Sequence, residues 1–162
     1  MINYVKISIG VFFVLLASRF IPHPPNFTSL IALSFYVPAL LGIRFLPIVI
    51  ISFMVTDIFF GFHNFLIFTW GSVFLIGLIS LYFKQKPYYR ILGSISGATL
   101  FFILTNFGVW IDGSYGYTIN GLLTCYVLAL PFFTNSLIST ILYSLLIETL
   151  FKLSMKNIFF KK

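Results

Sequence analysis

Charged residues are scarce in this chain. They make up 8% of its 162 residues, only three are acidic, and hydrophobic residues make up 60%. A soluble domain needs far more charge than this to cover its surface. The composition therefore excludes a soluble globular protein and predicts an integral membrane protein, with the lipid bilayer as its surroundings.

Cysteine and the common catalytic motifs are also missing. The single Cys125 excludes an internal disulfide and a metal site built from several cysteines. No G-x-x-x-x-G-K-[ST], H-E-x-x-H or G-x-S-x-G segment occurs. The two histidines and the two aspartates have no recognised metal-ligand spacing. We therefore predict no cofactor, no metal site and no enzymatic activity.

Apolar segments fill most of the sequence and are separated by short breaks that contain proline, glycine or charge. They predict one membrane domain over residues 1–162. It is an all-α bundle of six transmembrane helices over about residues 4–20, 29–43, 45–60, 65–83, 91–111 and 135–153. An apolar segment over residues 119–130, ending at Pro131, is predicted to be a short re-entrant or interfacial helix.

The second and third predicted helices are short. At about 1.5 Å per residue each spans roughly 22–24 Å, less than the ~30 Å hydrocarbon core. They are expected to stop below the outer surface and to leave a depression there. The N-terminal apolar run lacks a small-x-small cleavage pattern, so it is interpreted as a retained first helix.

The basic residues predict the orientation. Six crossings place both termini on one side, and that side collects nine basic residues against one, Arg19, on the other. The positive-inside rule then predicts cytoplasmic termini in a bacterial inner membrane. Because the charges are dispersed, they do not indicate nucleic-acid binding. The nine inner residues are Lys6, Arg44, Lys84, Lys86, Arg90, Lys152, Lys156, Lys161 and Lys162.

A proline-rich segment follows the first helix. Residues 19–28 read R-F-I-P-H-P-P-N-F-T, with three prolines in four positions. Proline fixes φ and lacks a backbone donor, so the chain cannot continue as a helix through these prolines. We call residues 21–28 the strap, and we predict that it closes over a small-molecule site.

The predicted topology gathers polar residues from distant segments at the outer end of the bundle. Charge inside a membrane is costly, and polar groups beside aromatic walls are what a small-ligand pocket needs. The candidate substrate-binding residues are Arg19, His23, Asn26, Asp57, His63, Asn106, Trp110, Tyr115 and Tyr117.

Structural roles remain open for the same residues. Arg19 could snorkel to the interface, and Asp57 could be a structural partner of Arg19 or His63. His23 could bridge loop carbonyls, His63 could cap a turn, and Asn106 could join helices.

Other polar and small residues also have structural interpretations. The aromatic candidates could belong to an interfacial belt. Asn135 is expected to be a helix N-cap, and Glu148 is expected to pair with a nearby base such as Lys152. Gly93 and Gly97 predict close contact within the bundle, with a partner subunit as the alternative.

Four motifs resemble a bacterial inner-membrane family of unknown function whose members are described as candidate transport proteins. They are R-x-I-P-H-P-P-N-F over residues 19–27, D-x-F-x-G-F-H over 57–63, T-N-F-G-V-W over 105–110 and Y-x-x-A-L-P-F-F-x-N over 126–135. The resemblance covers nearly the whole chain.

That family is in turn similar to the S components of energy-coupling-factor (ECF) transporters. The likeness rests on size, on six helices and on the D-x-F-x-G-F segment. It implies capture of a vitamin-like nutrient from outside, with an ECF-type coupling subunit and ATPases as partners. The first helix lacks the A-x-x-x-A pattern that often docks the coupling subunit. The His-rich N-terminus of nickel and cobalt S components is missing too, so transport of these metals is not expected.

Three functions follow from these patterns. The leading hypothesis is a substrate-binding subunit for uptake of a small organic nutrient, with a zwitterionic or polar heterocyclic ligand. The alternatives are a membrane enzyme that uses His23, His63 and Asp57, and a structural subunit without a ligand. If a proton is coupled to transport, Asp57 with His63 is the expected relay.

Overall fold

Six α-helices account for most of the chain. The computed structural model describes the backbone of residues 2–159 and the side chains of residues 4–154. The helices are α1 (Ile2–Phe20), α2 (Leu30–Leu41), α3 (Leu46–Phe60), α4 (Leu66–Ile79), α5 (Pro87–Ile111) and α6 (Ile119–Phe159). Single turns of 3-10 helix lie at Ile43–Phe45 and Ser80–Tyr82. The side chains of the predicted inner residues Lys156, Lys161 and Lys162 lie outside the described residues.

The prediction of six helices agrees with the described chain, but the prediction for the last apolar segments is wrong. Residues 119–130 are not a separate re-entrant helix, because α6 continues through Pro131 as one helix of 41 residues. Proline removes one backbone donor, which a membrane helix tolerates. Cys125 and Ala129 before Pro131 and Ser136 after it are all buried, while Pro131 itself is exposed. Packing of this one face holds the helix together.

Three helical segments are long and apolar enough to cross a membrane, over residues 43–60, 87–111 and 119–154. Two shorter apolar helices cover residues 30–41 and 66–82. This all-helical, apolar architecture is that of a membrane protein.

Helix α2 is the centre of the bundle. Every residue from Leu30 to Pro38 is buried. The other helices surround it in the order α1, α3, α4, α5 and α6, each packed on the next. One face of α2, with Leu33 and Val37, joins a cluster that includes Val49 of α3, and the opposite face packs Phe35 near Ala98 of α5. A buried central helix explains why α2 has no polar face.

Glycines of α5 permit this close packing. A Cβ added at Gly93 would lie 2.5 Å from Phe35 Cζ, and one added at Gly97 would lie 3.1 Å from Ile76 Cγ2. The small residues of α5 therefore contact α2 and α4 within the bundle, as the sequence analysis expected.

Replacing Gly93 by alanine is expected to lower the free energy of unfolding by about 1–3 kcal/mol, because the fully buried Phe35 ring cannot move aside. Gly71 on α4 is the matched control, since no atom lies within 4 Å of its added Cβ. Gly71→Ala is expected to be neutral or to stabilise by up to about 1 kcal/mol. Denaturant titration of the protein in detergent, followed by circular dichroism, measures both. Equal effects would contradict this packing.

The short α2 determines where the site lies. The hydroxyls of Ser18, near the end of α1, and Ser29, just before α2, are 2.8 Å apart. The chain therefore leaves α1 and re-enters the bundle at the same level, without a helical turn above α2. We call the end of the bundle where α1, α3 and α5 end the site end, and the opposite end the termini end. The space above α2 at the site end is the cavity described next.

Candidate functional site

A cavity of about 570 Å³ opens at the site end. Pockets for small organic ligands have volumes of about 300–1,000 Å³. Leu30 and Ile31 at the start of α2 line it from one side. Phenylalanines from α3, α5, α6 and the loop before α4 provide most of the apolar wall: Phe53, Phe60, Phe65, Phe101, Phe102, Phe132 and Phe133. The cavity thus has the size and the aromatic lining of a pocket for a small organic molecule.

The charged pair of the site is Arg19 with Asp57. Arg19 Nη1 donates to Asp57 Oδ1 at 2.7 Å and also contacts the Thr56 hydroxyl. Trp70 Nε1 donates to the other carboxylate oxygen, Asp57 Oδ2, at 2.8 Å. Both oxygens of Asp57 are therefore engaged, and the network joins α1, α3 and α4. The interpretation of Asp57 as a partner of Arg19 is confirmed, and the pair carries no net charge.

Arg19 is also held by aromatic rings. Its guanidinium carbon lies 4.7 Å from the ring centroids of both Phe53 and Phe60. Such contacts favour a cation by about 0.5–2 kcal/mol each. The side chain of Arg19 is 16% exposed, compared with 4% for Asp57. Arg19 is thus the member of the pair that the cavity reaches more readily.

The strap forms part of the cavity wall through His23 and Asn26. His23 Nδ1 lies 2.7 Å from the carbonyl of Pro24, and its Nε2 lies 3.3 Å from the carbonyl of Arg19. His23 thus lies between a carbonyl of the strap and a carbonyl of the last turn of α1, and not between two loop carbonyls. Asn26 has a φ of 62°, in the left-handed region that asparagine tolerates better than most residues.

Asn135 fastens the strap to α6. It is not the N-cap that the sequence predicted, because α6 begins at Ile119 and Asn135 lies inside it. Its Nδ2 instead donates to the carbonyl of Pro25 at 3.0 Å. Pro25 lies in the non-helical strap, where no helical N–H of the described chain donates to its carbonyl, so the Asn135 side chain can donate to it.

His63 carries an unpartnered polar atom. Within the described residues its Nδ1 is buried and has no hydrogen-bond partner, while its ring packs on Phe65 with centroids 3.9 Å apart. Burial is the main cause that lowers the pKa of His63 below its usual 6.5. The positive charge of Arg19 also lowers this pKa, whereas the negative charges of Asp57 and Asp112 raise it. A neutral imidazole at pH 7 has one nitrogen that can accept a hydrogen bond, and His63 is one of the residues that line the cavity.

Acidification is expected to weaken the fold through His63. Because its pKa is lower in the folded state, the unfolded chain binds more protons between that pKa and about 6.5. The contribution of His63 to the free energy of unfolding is therefore fully present above pH 6.5. It is lost as the pH falls through the lower pKa that His63 has in the folded state. Thermal unfolding measured across this pH range tests it, with His63→Gln as the matched variant. An equal loss of melting temperature in His63→Gln would contradict the assignment to this histidine.

Asn106 and Cys125 bring α5 and α6 together at the cavity. Asn106 Nδ2 donates to the carbonyl of Phe102 at 2.8 Å, so its side-chain oxygen keeps its capacity to accept a hydrogen bond. The thiol of Cys125, in a residue 2% exposed, lies 3.4 Å from the backbone oxygen of Asn106. Both residues and Tyr115 line the cavity. Asn106 thus offers one acceptor to a bound molecule.

A family profile matches residues 2–160 and is described as a family of unknown function, DUF6580. The chain belongs to this family. No curated protein and no solved structure matches the chain. The resemblance to a family of unknown function is confirmed, while the likeness to S components stays a prediction.

For this member of DUF6580, the structure brings together seven of the nine predicted site residues. Trp110 and Tyr117 do not line the cavity. Trp110 Nε1 donates to the carbonyl of Thr118 at 3.2 Å, and Tyr117 is 73% exposed. The seven that line it are Arg19, His23, Asn26, Asp57, His63, Asn106 and Tyr115.

Sequence reasoning missed the phenylalanine wall and the small polar residues of the cavity, among them Thr69, Thr105 and Ser136. Phenylalanine is common throughout this chain, so no local signal separates a cavity wall from a core or a lipid face. Among the described residues, no group of three His, Cys, Asp or Glu side chains could hold a metal ion.

Proposed function

We propose that this protein is a substrate-binding membrane subunit that captures a small organic nutrient from the outer side of a bacterial inner membrane. The observation that carries the proposal is the cavity of about 570 Å³, walled by aromatic rings and bordered by convergent polar groups from five helices and the strap. In this proposal the site end faces outward, and the fold is of the S-component type.

The charge distribution supports this orientation. Helices α1, α3 and α5 end at the site end, and α2, α4 and α6 begin there, so six crossings return the chain to its starting side. Among the residues whose side chains are described, Arg19 is the basic residue near the site end. Lys6, Arg44, Lys84 and Lys86 lie on segments at the termini end. An inner leaflet of negative charge favours cytoplasmic termini.

Because both oxygens of the Asp57 carboxylate already accept hydrogen bonds, fewer classes of ligand suit the cavity. Asp57 accepts hydrogen bonds from both Arg19 and Trp70, so it has little capacity for a cationic ligand. Free capacity remains on His63 Nδ1 and on the side-chain oxygen of Asn106. A flat polar heterocycle without net charge suits this set, because its faces stack on phenylalanine rings while its edge meets these two groups.

Uptake against a gradient needs an energy source, and the sequence of this chain contains no motif that would supply one. The sequence has no P-loop. An ECF-type coupling subunit with its ATPases is one proposed set of partners, and an ion gradient is the other.

The alternative enzyme would use His23, His63 and Asp57 in acid–base steps. Of these, His23 lies between two carbonyls and Asp57 is engaged by two donors, which leaves His63 with a free nitrogen. General acid–base catalysis needs groups within reach of the substrate proton. The geometry therefore favours binding, and consumption of a compound by the purified protein alone would favour the enzyme.

A thermal-shift screen tests the proposal, because a ligand at 100 times its Kd stabilises the folded state by about 2.7 kcal/mol. Unfolding is followed by circular dichroism, because Cys125 lines the cavity and a bound compound would shield its thiol directly. The panel consists of vitamin-sized polar heterocycles.

Two variants separate a cavity ligand from nonspecific stabilisation. Asn106→Leu removes the acceptor, and Ala129→Trp fills the cavity, whereas Thr124→Val is the control because Thr124 is exposed and its hydroxyl donates to the carbonyl of Asn120. A stabilising compound whose effect survives in Thr124→Val and is lost in the other two supports capture in the cavity. A uniform effect in all variants would contradict it.

A further inference from the structure

A line of buried hydroxyl groups on α6 leads away from the cavity. Ser136 lines the cavity, and Thr140 and Ser144 follow at intervals of four residues, which places them on one helix face. Ser136 is 4% exposed, and Thr140 and Ser144 are completely buried. The next position of the same face is Glu148. We call these four residues the α6 polar line.

Helices α2 and α5 supply further polar groups at its lower part. The hydroxyls of Ser94 and Ser144 are 3.0 Å apart. The phenol of Tyr36 on α2 faces Ser144 and Glu148. Arg90 on α5 binds Glu148 through two hydrogen bonds of 2.6 and 2.7 Å. The line therefore ends in a buried ion pair near the termini end.

Two hydroxyls in or beside this line make no hydrogen bond of ordinary length and angle within the described part of the chain, although the Tyr36 phenol lies close to Ser144 and Glu148. Within the described residues, the Tyr36 hydroxyl and Thr140 Oγ1 are buried without a hydrogen bond, in side chains 1% and 0% exposed. Other threonines of the bundle, such as Thr105 and Thr149, donate to the carbonyl four residues earlier. Thr140 does not, although this local solution is open to it. Simple packing of small residues does not explain the free Thr140 hydroxyl in this line and the Tyr36 phenol beside it.

The spacing fits bridging water. Four helical residues rise about 6 Å. One water molecule with two hydrogen bonds of about 2.8 Å each spans about 5.6 Å. A water beside each of Thr140 and Tyr36 would have the two to four polar partners that buried water requires. Water in the gaps between these groups would complete a hydrogen-bonded chain of about 18 Å from Ser136 to Glu148.

We propose that the α6 polar line is a proton pathway from the cavity to Glu148. A proton enters from water in the cavity at Ser136 and passes along the hydroxyls, each group accepting one proton and donating another. The Glu148 carboxylate accepts it and becomes neutral, and a proton later leaves toward solvent at the termini end. One proton is moved, and no group is changed after a full cycle.

Protonation of Glu148 would also loosen the contact between α5 and α6. Arg90 from α5 and Tyr36 from α2 face the Glu148 carboxylate. The Arg90 guanidinium also donates to the carbonyl of Lys84. Lys152 lies one turn further along α6. A neutral Glu148 keeps its carbonyl oxygen as an acceptor for Arg90 but weakens one of the two bonds, because the added proton occupies the other oxygen, and it loses its charge attraction. The pathway would thereby supply an ion-gradient energy source. It goes beyond the proposed function, and it holds whatever the cavity binds.

Proton flux into proteoliposomes tests the proposal without any ligand. The purified chain is reconstituted with a trapped pH-sensitive dye, and an inside-negative potassium diffusion potential drives proton entry. Wild type is expected to acidify the lumen faster than empty liposomes. Thr140→Val, which keeps the branched shape and removes the free hydroxyl, is expected to reduce the protein-dependent rate by about tenfold, the effect of one lost hydrogen bond on a rate. Tyr36→Phe is expected to act in the same direction.

Thr134→Val is the matched control on the same helix, because Thr134 is exposed and its hydroxyl already donates to the carbonyl of Leu130. It is expected to keep the wild-type rate. Circular dichroism and the Cys125 unfolding signal establish that each variant is folded. Protein-dependent flux that is absent in wild type, or that is equal in Thr140→Val and Thr134→Val, would overturn the proposal. Loss of ligand binding in the cavity is measured separately, so failure of either proposal is recognised on its own.

Discussion

Replacing Arg19 by leucine is expected to lower the free energy of unfolding by about 3–5 kcal/mol. The substitution leaves the Asp57 carboxylate, 4% exposed, with Trp70 as its remaining side-chain donor. A buried charge without its partner is far more costly than the pair. Denaturant titration in detergent, followed through the reactivity of the buried Cys125, measures the effect.

Two controls accompany the Arg19 variant. Arg44→Leu removes an exposed arginine and is expected to change stability by less than about 1 kcal/mol. The double variant Arg19→Leu with Asp57→Leu removes both charges and is expected to recover much of the loss. If Arg19→Leu were no more harmful than Arg44→Leu, Arg19 would be an interfacial residue rather than part of a buried network.

Replacing Glu148 by leucine is expected to have an effect of similar size, about 3–5 kcal/mol. Arg90 is 5% exposed, and it would keep only the carbonyl of Lys84 as a hydrogen-bond acceptor. Glu148→Gln is expected to be milder, because its amide oxygen can still accept from the guanidinium. The same titration compares these variants.

Lys152→Leu separates the two pairings available to Glu148. The sequence pattern favours Lys152, one turn away on the same helix, but the structure pairs Glu148 with Arg90, 58 residues earlier in the chain. Lys152→Leu is therefore expected to leave stability within about 0.5 kcal/mol of wild type, as exposed helix pairs are worth little. A large loss in this variant together with a small loss in Glu148→Leu would contradict the pairing with Arg90.

Much of the helical architecture can be predicted from the sequence, because apolar runs and their breaks are local signals. The bounds of α2 and α3 follow from Gly42 and Gly61, which adopt positive φ and end each helix. Pro131 is misleading because a proline signal is also local, whereas the decision to continue α6 depends on packing against α2 and α5.

The candidate site could also be predicted in part from local sequence signals. Charged and polar residues such as Arg19, Asp57 and Asn106 are conspicuous in an apolar chain, and the order of crossings places them at one end. Which of them meet depends on three-dimensional packing. Asn135 binding the strap, Trp70 binding Asp57 and the phenylalanine wall have no pattern of spacing that would reveal them.

Native mass spectrometry of the gently purified protein is the most direct test of the central claim, that the cavity above α2 holds a small organic molecule. Wild type and the cavity-filling variant Ala129→Trp are compared at equal helicity and equal purity. We expect wild type to release a bound compound of low mass that Ala129→Trp does not carry. An identical set of released compounds in both proteins, or none in either when the cells grew in nutrient-rich medium, would contradict the claim.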